Sequence, residues 1–217
     1  MSRRKKTRTT STDAAPSAVK HKIHMLRQRV AAEAARIMAT EGQRNFRLAK
    51  QKAAERVGIS SRLALPGNRE VEEALIAYQG LYGGEAHNLH LSQLRRTALK
   101  VMRALEAYRP RLVGPVLEGT ADRHSRISIH LFNDPPDDVA LHLSERGLDF
   151  SYEERTIRWH NGNQHRLPLL VTDADGSVVE LALFSSMDLR QAPPSPVDGR
   201  PQRRASLADV ENLLSAA

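Results

Sequence analysis

The chain contains no cysteine, few aromatic residues and no long apolar run. Without thiols it cannot form a disulfide, a cysteine nucleophile or a thiolate zinc site, which suits a reducing compartment. Aromatic residues make up 4% of its 217 positions, so a core has to be built from Leu, Val, Ile and Ala. No segment approaches the roughly 18 apolar residues of a membrane-spanning helix. The basic N-terminus has no apolar stretch behind it, so we expect no secretory signal, no membrane association and a cytoplasmic location.

Basic residues outnumber acidic ones, but the excess is concentrated at one end. The formal net charge is +8, and residues 1–22 hold seven basic side chains against one acidic, a net of +6. The remaining 195 residues carry about +2, which is close to neutral for their number. Residues 1–17 are rich in Ser, Thr, Ala and Arg and predict a disordered basic tail. Two interpretations stay open: a solubilising terminus, or nonspecific contact with nucleic acid through residues 1–22.

The first part of the chain has the apolar periodicity of helices. We predict helices over residues 18–40, 46–57, 68–81 and 85–108. Gly42 and Gly58 follow the first two helices, as C-terminal glycines commonly do, and Asn68 is the expected N-cap of the third. Pro110 follows the end of the fourth helix. The first three helices form a helical segment, residues 18–84, and the fourth belongs to the module that follows it.

After Pro110 the pattern changes to short β-rich runs. Strands are predicted over residues 112–117, 127–132, 149–152, 156–160, 166–172 and 177–184. Asp134 predicts the N-cap of an intervening helix, and Ser206 predicts the capping box of a final one. The order of elements predicts an α+β fold, with helices packed against one small mixed sheet. Residues 85–190 form this module, and residues 191–217 form an extended loop and the C-terminal helix.

The most informative stretch reads VGPVLEGT at residues 113–120 and continues as HSRISIHL at residues 124–131. An apolar run leads into a turn at Gly119 and Thr120, and a second apolar run returns after a short polar loop. This arrangement resembles the active site of nucleotidyltransferases, in which one strand delivers Gly-Ser or Gly-Thr and the next carries Asp-x-Asp. The resemblance covers roughly residues 90–190. It implies a nucleotidyltransferase-like module preceded by a long helix, similar to degenerate bacterial members of that family.

The resemblance also implies which residues bind a ligand. Backbone N–H groups at Gly119 and Thr120 would cradle the phosphates of a nucleotide or a phosphorylated small molecule. The two positions that hold aspartates in the family are occupied by Arg126 and Ser128. The expected ligand-binding set is Gly119, Thr120, Arg123, Ser125, Arg126, Ser128 and His130.

The replaced aspartates matter because nucleotidyl transfer relies on two metal ions that clamp the attacking and leaving oxygens. Mg²⁺ prefers carboxylate oxygens, and alternate residues of a strand present two carboxylates to the same metals. Arg126 and Ser128 offer a positive charge and a neutral hydroxyl instead. We therefore expect no metal site and no conventional two-metal catalysis, and Mg²⁺ is expected only if the degenerate site is active. The guanidinium groups of Arg123 and Arg126 could bind phosphate directly, without a metal.

Two acidic residues remain as candidates for a catalytic role. Asp122 lies in the loop between the two runs and could supply a metal ligand through a shift of register. Glu180, on a predicted hairpin strand, resembles the third carboxylate of the family and could hold a metal together with His130. The alternative is that Arg126 is a solvated edge residue and Glu180 an exposed strand position. The nine histidines show no zinc-site spacing, so we interpret them as surface residues.

The segments PRLVGPV at residues 110–116 and SPVDGRP at residues 195–201 are similar to those of proteins that carry a muramate–alanine ligase name. Such a ligase needs three domains and an ATP-binding loop of the type Gly-x-x-x-x-Gly-Lys-Ser/Thr. The chain has no Gly-Lys pair, and its length does not accommodate three domains of about 100 residues or more. We therefore expect no true muramate–alanine ligase.

A second functional class rests on the N-terminal helices. The segments EAARIMATEG at residues 33–42 and AAERVGIS at residues 53–60 resemble the first two helices of tetracycline-repressor-type helix-turn-helix domains. The recognition helix would begin near Ser60, but Pro66 interrupts it within about one turn. A helix that reads the major groove needs more length than that. A DNA-binding regulator that uses this segment and the basic tail is therefore the alternative to a ligand-binding, nucleotidyltransferase-like protein.

Overall fold

The computed structural model describes residues 15–59 and 64–216, which fall into two compact units, Met1–Val71 and Glu72–Ala217. The described residues form an α+β structure, as predicted. Their helices are α1 (Ala15–Glu41), α2 (Phe46–Val57), α3 (Asn68–Tyr82), α4 (Gly84–Ala104), α5 (Pro115–Glu118), α6 (Asp138–Glu145) and α7 (Leu207–Ser215). Their strands are β1 (Arg111–Val113), β2 (Ile127–Phe132), β3 (Ser151–Arg158), β4 (Gln164–Ala174) and β5 (Ser177–Phe184). None of the described helices combines the length and apolarity needed to cross a bilayer.

In the first unit, α1 and α2 pack through mostly small side chains. The buried positions are Val30, Ala31, Ala34, Ala35 and Ile37 on α1 and Ala49, Ala53 and Ala54 on α2. Asn45 caps α2 by accepting hydrogen bonds from the N–H groups of Arg47 and Leu48 at 3.0 and 3.2 Å. Gly58 ends the helix with a φ of 74°, which glycine adopts without strain. The predicted bounds of α2 are confirmed.

α3 begins at Asn68, the residue predicted to cap it, but the cap is formed differently. The carboxylate of Glu70 accepts a hydrogen bond from the Gly67 N–H at 2.6 Å. The Asn68 side chain instead accepts one from Lys50 Nζ at 2.7 Å. Glu70 therefore accepts the hydrogen bond from the N–H group that precedes α3, and the Asn68 side chain instead binds Lys50 of α2.

Two predicted features fall on residues outside the described part of the chain. Residues 1–14 include most of the predicted basic tail, and residues 60–63 include the predicted start of the recognition helix. α1 begins at Ala15, before the end of the tail predicted at residue 17. The DNA-binding alternative therefore stays a prediction.

The second unit contains a five-stranded mixed sheet in the order β1-β2-β5-β4-β3. β2 and β5 are parallel, and the other neighbouring pairs are antiparallel. Because side chains alternate along a strand, β2 places Ile127 and Ile129 on one face of the sheet. Ser128 and His130 belong to the opposite face. The parallel register sets Ser128 beside Glu180 of β5.

The main hydrophobic core lies on the helix-covered face of this sheet. α4 contributes Leu94, Ala98 and Met102, and α7 contributes Val210. These residues pack against the apolar positions of β2 and β5, among which Leu181 is fully buried. The opposite face carries a smaller cluster of Phe132, Leu167, Leu169, Ala182 and Phe184. The helices therefore cover one face and leave the other available for a site.

The run at residues 112–117 was predicted to be one strand, and this prediction is wrong. β1 ends at Val113, Gly114 takes a φ of 71°, and α5 follows with Pro115 in its first turn. Proline lacks the N–H that a strand ladder needs, and its fixed φ suits the start of a helix. The apolar run therefore turns at Gly114, and Gly119 instead ends α5 with a φ of 86°.

Other boundaries also differ from the sequence-based expectation. The fourth helix, predicted to reach residue 108, ends as α4 at Ala104 and is followed by a short 3₁₀ turn over Glu106–Tyr108. The predicted strands at residues 149–152 and 156–160 are one strand, β3, which pairs with β4 along its whole length. The Asp134 side chain does not begin α6, because it accepts a hydrogen bond from the Ser186 N–H at 3.1 Å. The helix begins at Asp138.

We expect Leu181→Ala to destabilise the protein by about 2–5 kcal/mol, because it leaves a cavity between the sheet and α4. Leu141→Ala on α6 is the matched control, since Leu141 is 61% exposed and Leu181 is fully buried. The control should change stability by about 0.5 kcal/mol or less. Urea unfolding followed by circular dichroism measures both. Equal losses in the two variants would contradict the assignment of the core.

Candidate functional site

A cavity of about 670 Å³ lies against the open face of the sheet in the second unit. Side chains of β2, β4 and β5 line it, together with the end of β3 and parts of residues 193–202. Its volume falls within the range of small-molecule sites in proteins. The polar and aromatic lining includes Ser128, His130, Arg155, Arg158, Trp159 and Glu180.

Glu180 is the acidic residue of this lining, and it is 3% exposed. Arg155 Nη2 lies 2.8 Å from its Oε1, and Arg126 Nη1 lies 3.5 Å from its Oε2. Arg126 also donates to Glu153 Oε2 at 2.9 Å, and this hydrogen bond raises the pKa of the Arg126 guanidinium. Two arginines and two glutamates thus form one network. Glu180 is buried, unlike the exposed strand position of the alternative interpretation.

This arrangement does not fit Mg²⁺. A hard divalent cation needs carboxylate oxygens directed at it, whereas both oxygens of Glu180 face guanidinium groups. The neighbouring position on β2 is Ser128, which contributes a neutral hydroxyl. Over residues 15–59 and 64–216, no three His, Asp or Glu side chains converge in a way that could hold a metal ion. The carboxylate that resembles a metal ligand is instead the counter-ion of two arginines.

The interpretation of the histidines as surface residues is wrong for His130, which is buried beside the cavity and is held by Arg204. Arg204 Nε lies 3.2 Å from His130 Nδ1, so the neutral imidazole accepts there and carries its proton on Nε2. Burial, together with the positive charges of Arg204 and Arg155, lowers the pKa of His130 to about 3. The Arg204 guanidinium also lies 4.8 Å from the ring centre of Phe132 and 5.5 Å from that of Phe184. Arg204 therefore attaches the segment that contains it, residues 192–205, to the open face of the sheet.

Residues 192–205 form one side of the cavity and are anchored near both ends. The Nε2 atom of His160, just beyond β3, lies 2.8 Å from the carbonyl oxygen of Ala192. Ala205 exchanges two backbone hydrogen bonds with Leu112 of β1, each 2.9 Å long. This segment contains several prolines, which restrict its backbone. The wall it forms is thus tied to both edges of the sheet.

Gly119 and Thr120 do not line the cavity. Their N–H groups both donate to the carbonyl oxygen of Pro115, at 2.9 and 3.0 Å, and so complete the end of α5. The carbonyl oxygen of Gly119 lies 3.4 Å from Nε2 of His87 on α4. Two other glycines line the cavity, Gly114 and Gly199, and a Cβ atom at either would meet nothing within 4 Å. Of these, Gly114 forms the turn between β1 and α5.

Asp122, Arg123 and Ser125 form a turn outside the cavity lining. Asp122 Oδ1 accepts hydrogen bonds from Ser125 Oγ at 2.8 Å and from the His124 N–H at 2.9 Å. Arg123 Nε lies 3.1 Å from Nε2 of His124. The structure gathers four predicted site residues on the open face of the sheet: Arg126, Ser128, His130 and Glu180. It places five others away from the cavity: Gly119, Thr120, Asp122, Arg123 and Ser125.

Several residues of this site were not predicted from the sequence. Arg155, Arg158 and Trp159 line the cavity from β3 and the turn after it, and Arg204, from the segment before α7, contacts His130. The alternation of Glu153, Arg155 and Ile157 along β3 was a signal that these side chains share a face. The pairing of Arg204 with His130 joins residues 74 positions apart, so no local pattern predicts it.

Comparisons with known proteins do not assign this site. No family model matches the chain, and a search of curated proteins finds no significant match. The function therefore has to be argued from the cavity and the side chains around it.

We expect the protein to lose stability as the pH falls below about 6.5, in part because of His130. In the unfolded state His130 binds a proton near that pH, whereas its folded pKa is about 3. Between these values the unfolded state holds more protons, so stability rises with pH. His130 should change the free energy of unfolding by up to about 1.4 kcal/mol per pH unit. Urea unfolding between about pH 7.5 and 5 measures the slope.

The control for this prediction is His130→Asn, which retains an acceptor for Arg204 but does not titrate. The difference between the two slopes isolates His130, whatever the variant does to stability at neutral pH. An identical slope in both proteins would show that His130 is protonated as readily in the folded state as in the unfolded state.

Proposed function

We propose that this protein contains a nucleotidyltransferase-like module with a degenerate metal site, which binds a nucleotide or another phosphorylated ligand without conventional two-metal catalysis. The observation that carries the proposal is the carboxylate of Glu180, buried at the cavity and paired with Arg155 and Arg126. In the nucleotidyltransferases that the sequence resembles, the corresponding carboxylate would be the third metal ligand. In this protein, the groups paired with Glu180 are guanidinium groups and not metal ions.

The order of elements supports a nucleotidyltransferase-like module. α4 precedes β1, and β1 leads through a glycine turn and the short helix α5 into β2. The turn at Gly114 lies at the cavity, which is the role that the sequence analysis gave to Gly119. Ser128 and Glu180 are neighbours in the β2–β5 register, so the positions that resemble metal ligands meet on one face.

The lining favours a ligand with both an anionic and a flat apolar part. The charged side chains of the lining are those of Arg155, Arg158 and Glu180, so the net charge is +1 when the histidines are counted as neutral. Trp159 and Pro193 supply flat apolar surface in the same cavity. A nucleotide combines these features, because it joins phosphate groups to an aromatic base. Arginine is well suited to phosphate, since its planar fork of N–H groups matches two oxygens.

We expect no nucleotidyl transfer from any common nucleoside triphosphate with Mg²⁺ or Mn²⁺. The reason is that the guanidinium groups of Arg126 and Arg155 already pair with Glu180, which is the acidic side chain among the described residues of the cavity lining. Incubation with labelled triphosphates, with the protein itself and bulk RNA as acceptors, measures this directly. Incorporation that disappears in Glu180→Ala or Asp122→Ala would show that these carboxylates hold a metal after all.

We expect nucleotides to raise the melting temperature, because they bind the folded state alone. A ligand at about 100 times its Kd adds roughly 2.7 kcal/mol of stability, which corresponds to a shift of about 5–10 °C for a domain of this size. Arg126→Ala should abolish the shift, because Arg126 pairs with Glu180, which lines the cavity. Arg123→Ala is the matched control, since Arg123 neither lines the cavity nor is an ion-pair partner of Glu180, and it should leave the shift intact. A thermal-shift panel of nucleotides and sugar phosphates measures both variants.

The same panel separates ligand binding from the DNA-binding alternative. Deletion of residues 1–17 should leave the nucleotide shift unchanged. Nucleic-acid affinity that depends on these residues should vanish with the deletion and should fall steeply with salt. A flat panel, together with tight and salt-resistant DNA binding by the shortened protein, would reject the proposed function in favour of a helix-turn-helix regulator.

A further inference from the structure

We infer that Arg155 is the phosphate-binding residue of the cavity and that Glu180 is its positioning residue, so that the ligand binds without a divalent metal. This inference rests on the proposed function and names the groups that carry it out. It reverses the expected role of the buried carboxylate. Glu180 would favour anion binding by holding a guanidinium in place, although its own charge repels an anion.

The first step of the argument is the position of Arg155. It lines the cavity from β3, an edge strand of the sheet, and its Nη2 forms an ion pair with Glu180 Oε1 at 2.8 Å. A guanidinium has five N–H groups, so this contact leaves the larger part of the fork to other acceptors. The side chain is 52% exposed, whereas that of Glu180 is 4% exposed. The arginine therefore has one end fixed in the protein and the other directed to the cavity and solvent.

The second step concerns the burial of Glu180. A carboxylate removed from water is strongly unfavourable unless it is paired and hydrogen-bonded. Its two oxygens face Arg155 and Arg126, at 2.8 and 3.5 Å. Because Arg155 reaches Glu180 from β3, across the intervening strand β4, the contact fixes a long side chain that would otherwise sample many rotamers. Glu180 thus holds the anion-binding group in place before a ligand arrives.

The third step is the charge of the cavity lining. Its charged side chains are those of Arg155, Arg158 and Glu180, which give a net charge of +1 when the histidines are counted as neutral. A phosphate beside Arg155 would therefore meet an attractive field without any metal. Trp159 lies in the same cavity and is the only tryptophan in the chain, so its fluorescence reports on occupancy.

The test is a titration of the full-length protein with ADP and, separately, with inorganic pyrophosphate, followed by tryptophan fluorescence. Each probe is added once in EDTA and once in MgCl₂. We expect saturable binding of ADP in EDTA. Arg155→Met should weaken it by about tenfold or more, as expected for the loss of a charge-assisted hydrogen bond. Arg155→Lys should recover part of the loss, because it retains the charge without the fork.

Glu180→Gln tests the role of the carboxylate through the direction in which the affinity for ADP changes. If the carboxylate merely repelled anions, its removal would tighten binding, whereas loss of a positioning residue should weaken it by about fivefold or more. Arg166→Met and Glu154→Gln are matched controls, since these residues form an exposed ion pair on β4 and β3 outside the cavity lining. Both controls should bind ADP as the wild type does. Circular dichroism of each variant checks that it is folded.

Three results would overturn the inference while leaving the proposed function intact: binding that requires MgCl₂, tighter binding in Glu180→Gln, or unchanged binding in Arg155→Met. Should Glu180→Gln fail to fold, Arg155→Met and the comparison of EDTA with MgCl₂ still decide the question. Absence of binding by either probe, in both EDTA and MgCl₂, would overturn the inference and the proposed function together.

Discussion

A carboxylate buried in the middle of a sheet has to be neutralised, and this constraint organises the open face of the second unit. Glu180 lies on β5 between two neighbouring strands, with almost no access to water. Leaving such a charge without partners costs several kcal/mol, which is a large part of the stability of a typical domain. Arg155 and Arg126 meet this requirement from opposite sides. The network they form connects β3, β5 and the residue before β2.

The same network determines which chemistry the face can support. Carboxylates that coordinate a cation must be free of competing positive groups, whereas here the positive groups belong to the protein itself. Guanidinium groups stay protonated throughout the physiological range, so their charge is permanent and needs no ion from solution. In the proposed function, this permanent charge would attract an anionic ligand to the open face without the carboxylate-bound metals that phosphoryl-transfer enzymes use.

A second buried contact closes the site from the other side. Arg204 lies over two aromatic rings and donates to His130, and it thereby attaches residues 192–205 to the sheet. This contact adds a buried attachment to the hydrogen bonds near the ends of the segment and to the ion pair of Arg203 with Glu118 of α5. The neutral state of His130 is part of the arrangement, because a protonated imidazole could not accept a hydrogen bond from a guanidinium at Nδ1. The wall of the cavity thus depends on one arginine and on an uncharged histidine.

The sequence by itself determined the α+β class, the bounds of α2 and the alternation of β2, because capping residues and apolar periodicity act over a few neighbouring positions. It also marked Ser128 and Glu180 as positions of interest. Only the tertiary structure decided that Gly114 lies at the cavity, that Glu180 is neutralised by Arg155 and that Arg204 meets His130. These outcomes depend on strand order and register, which join residues far apart in the chain. Local patterns carry no information about such pairings, so the site became visible only once the sheet was assembled.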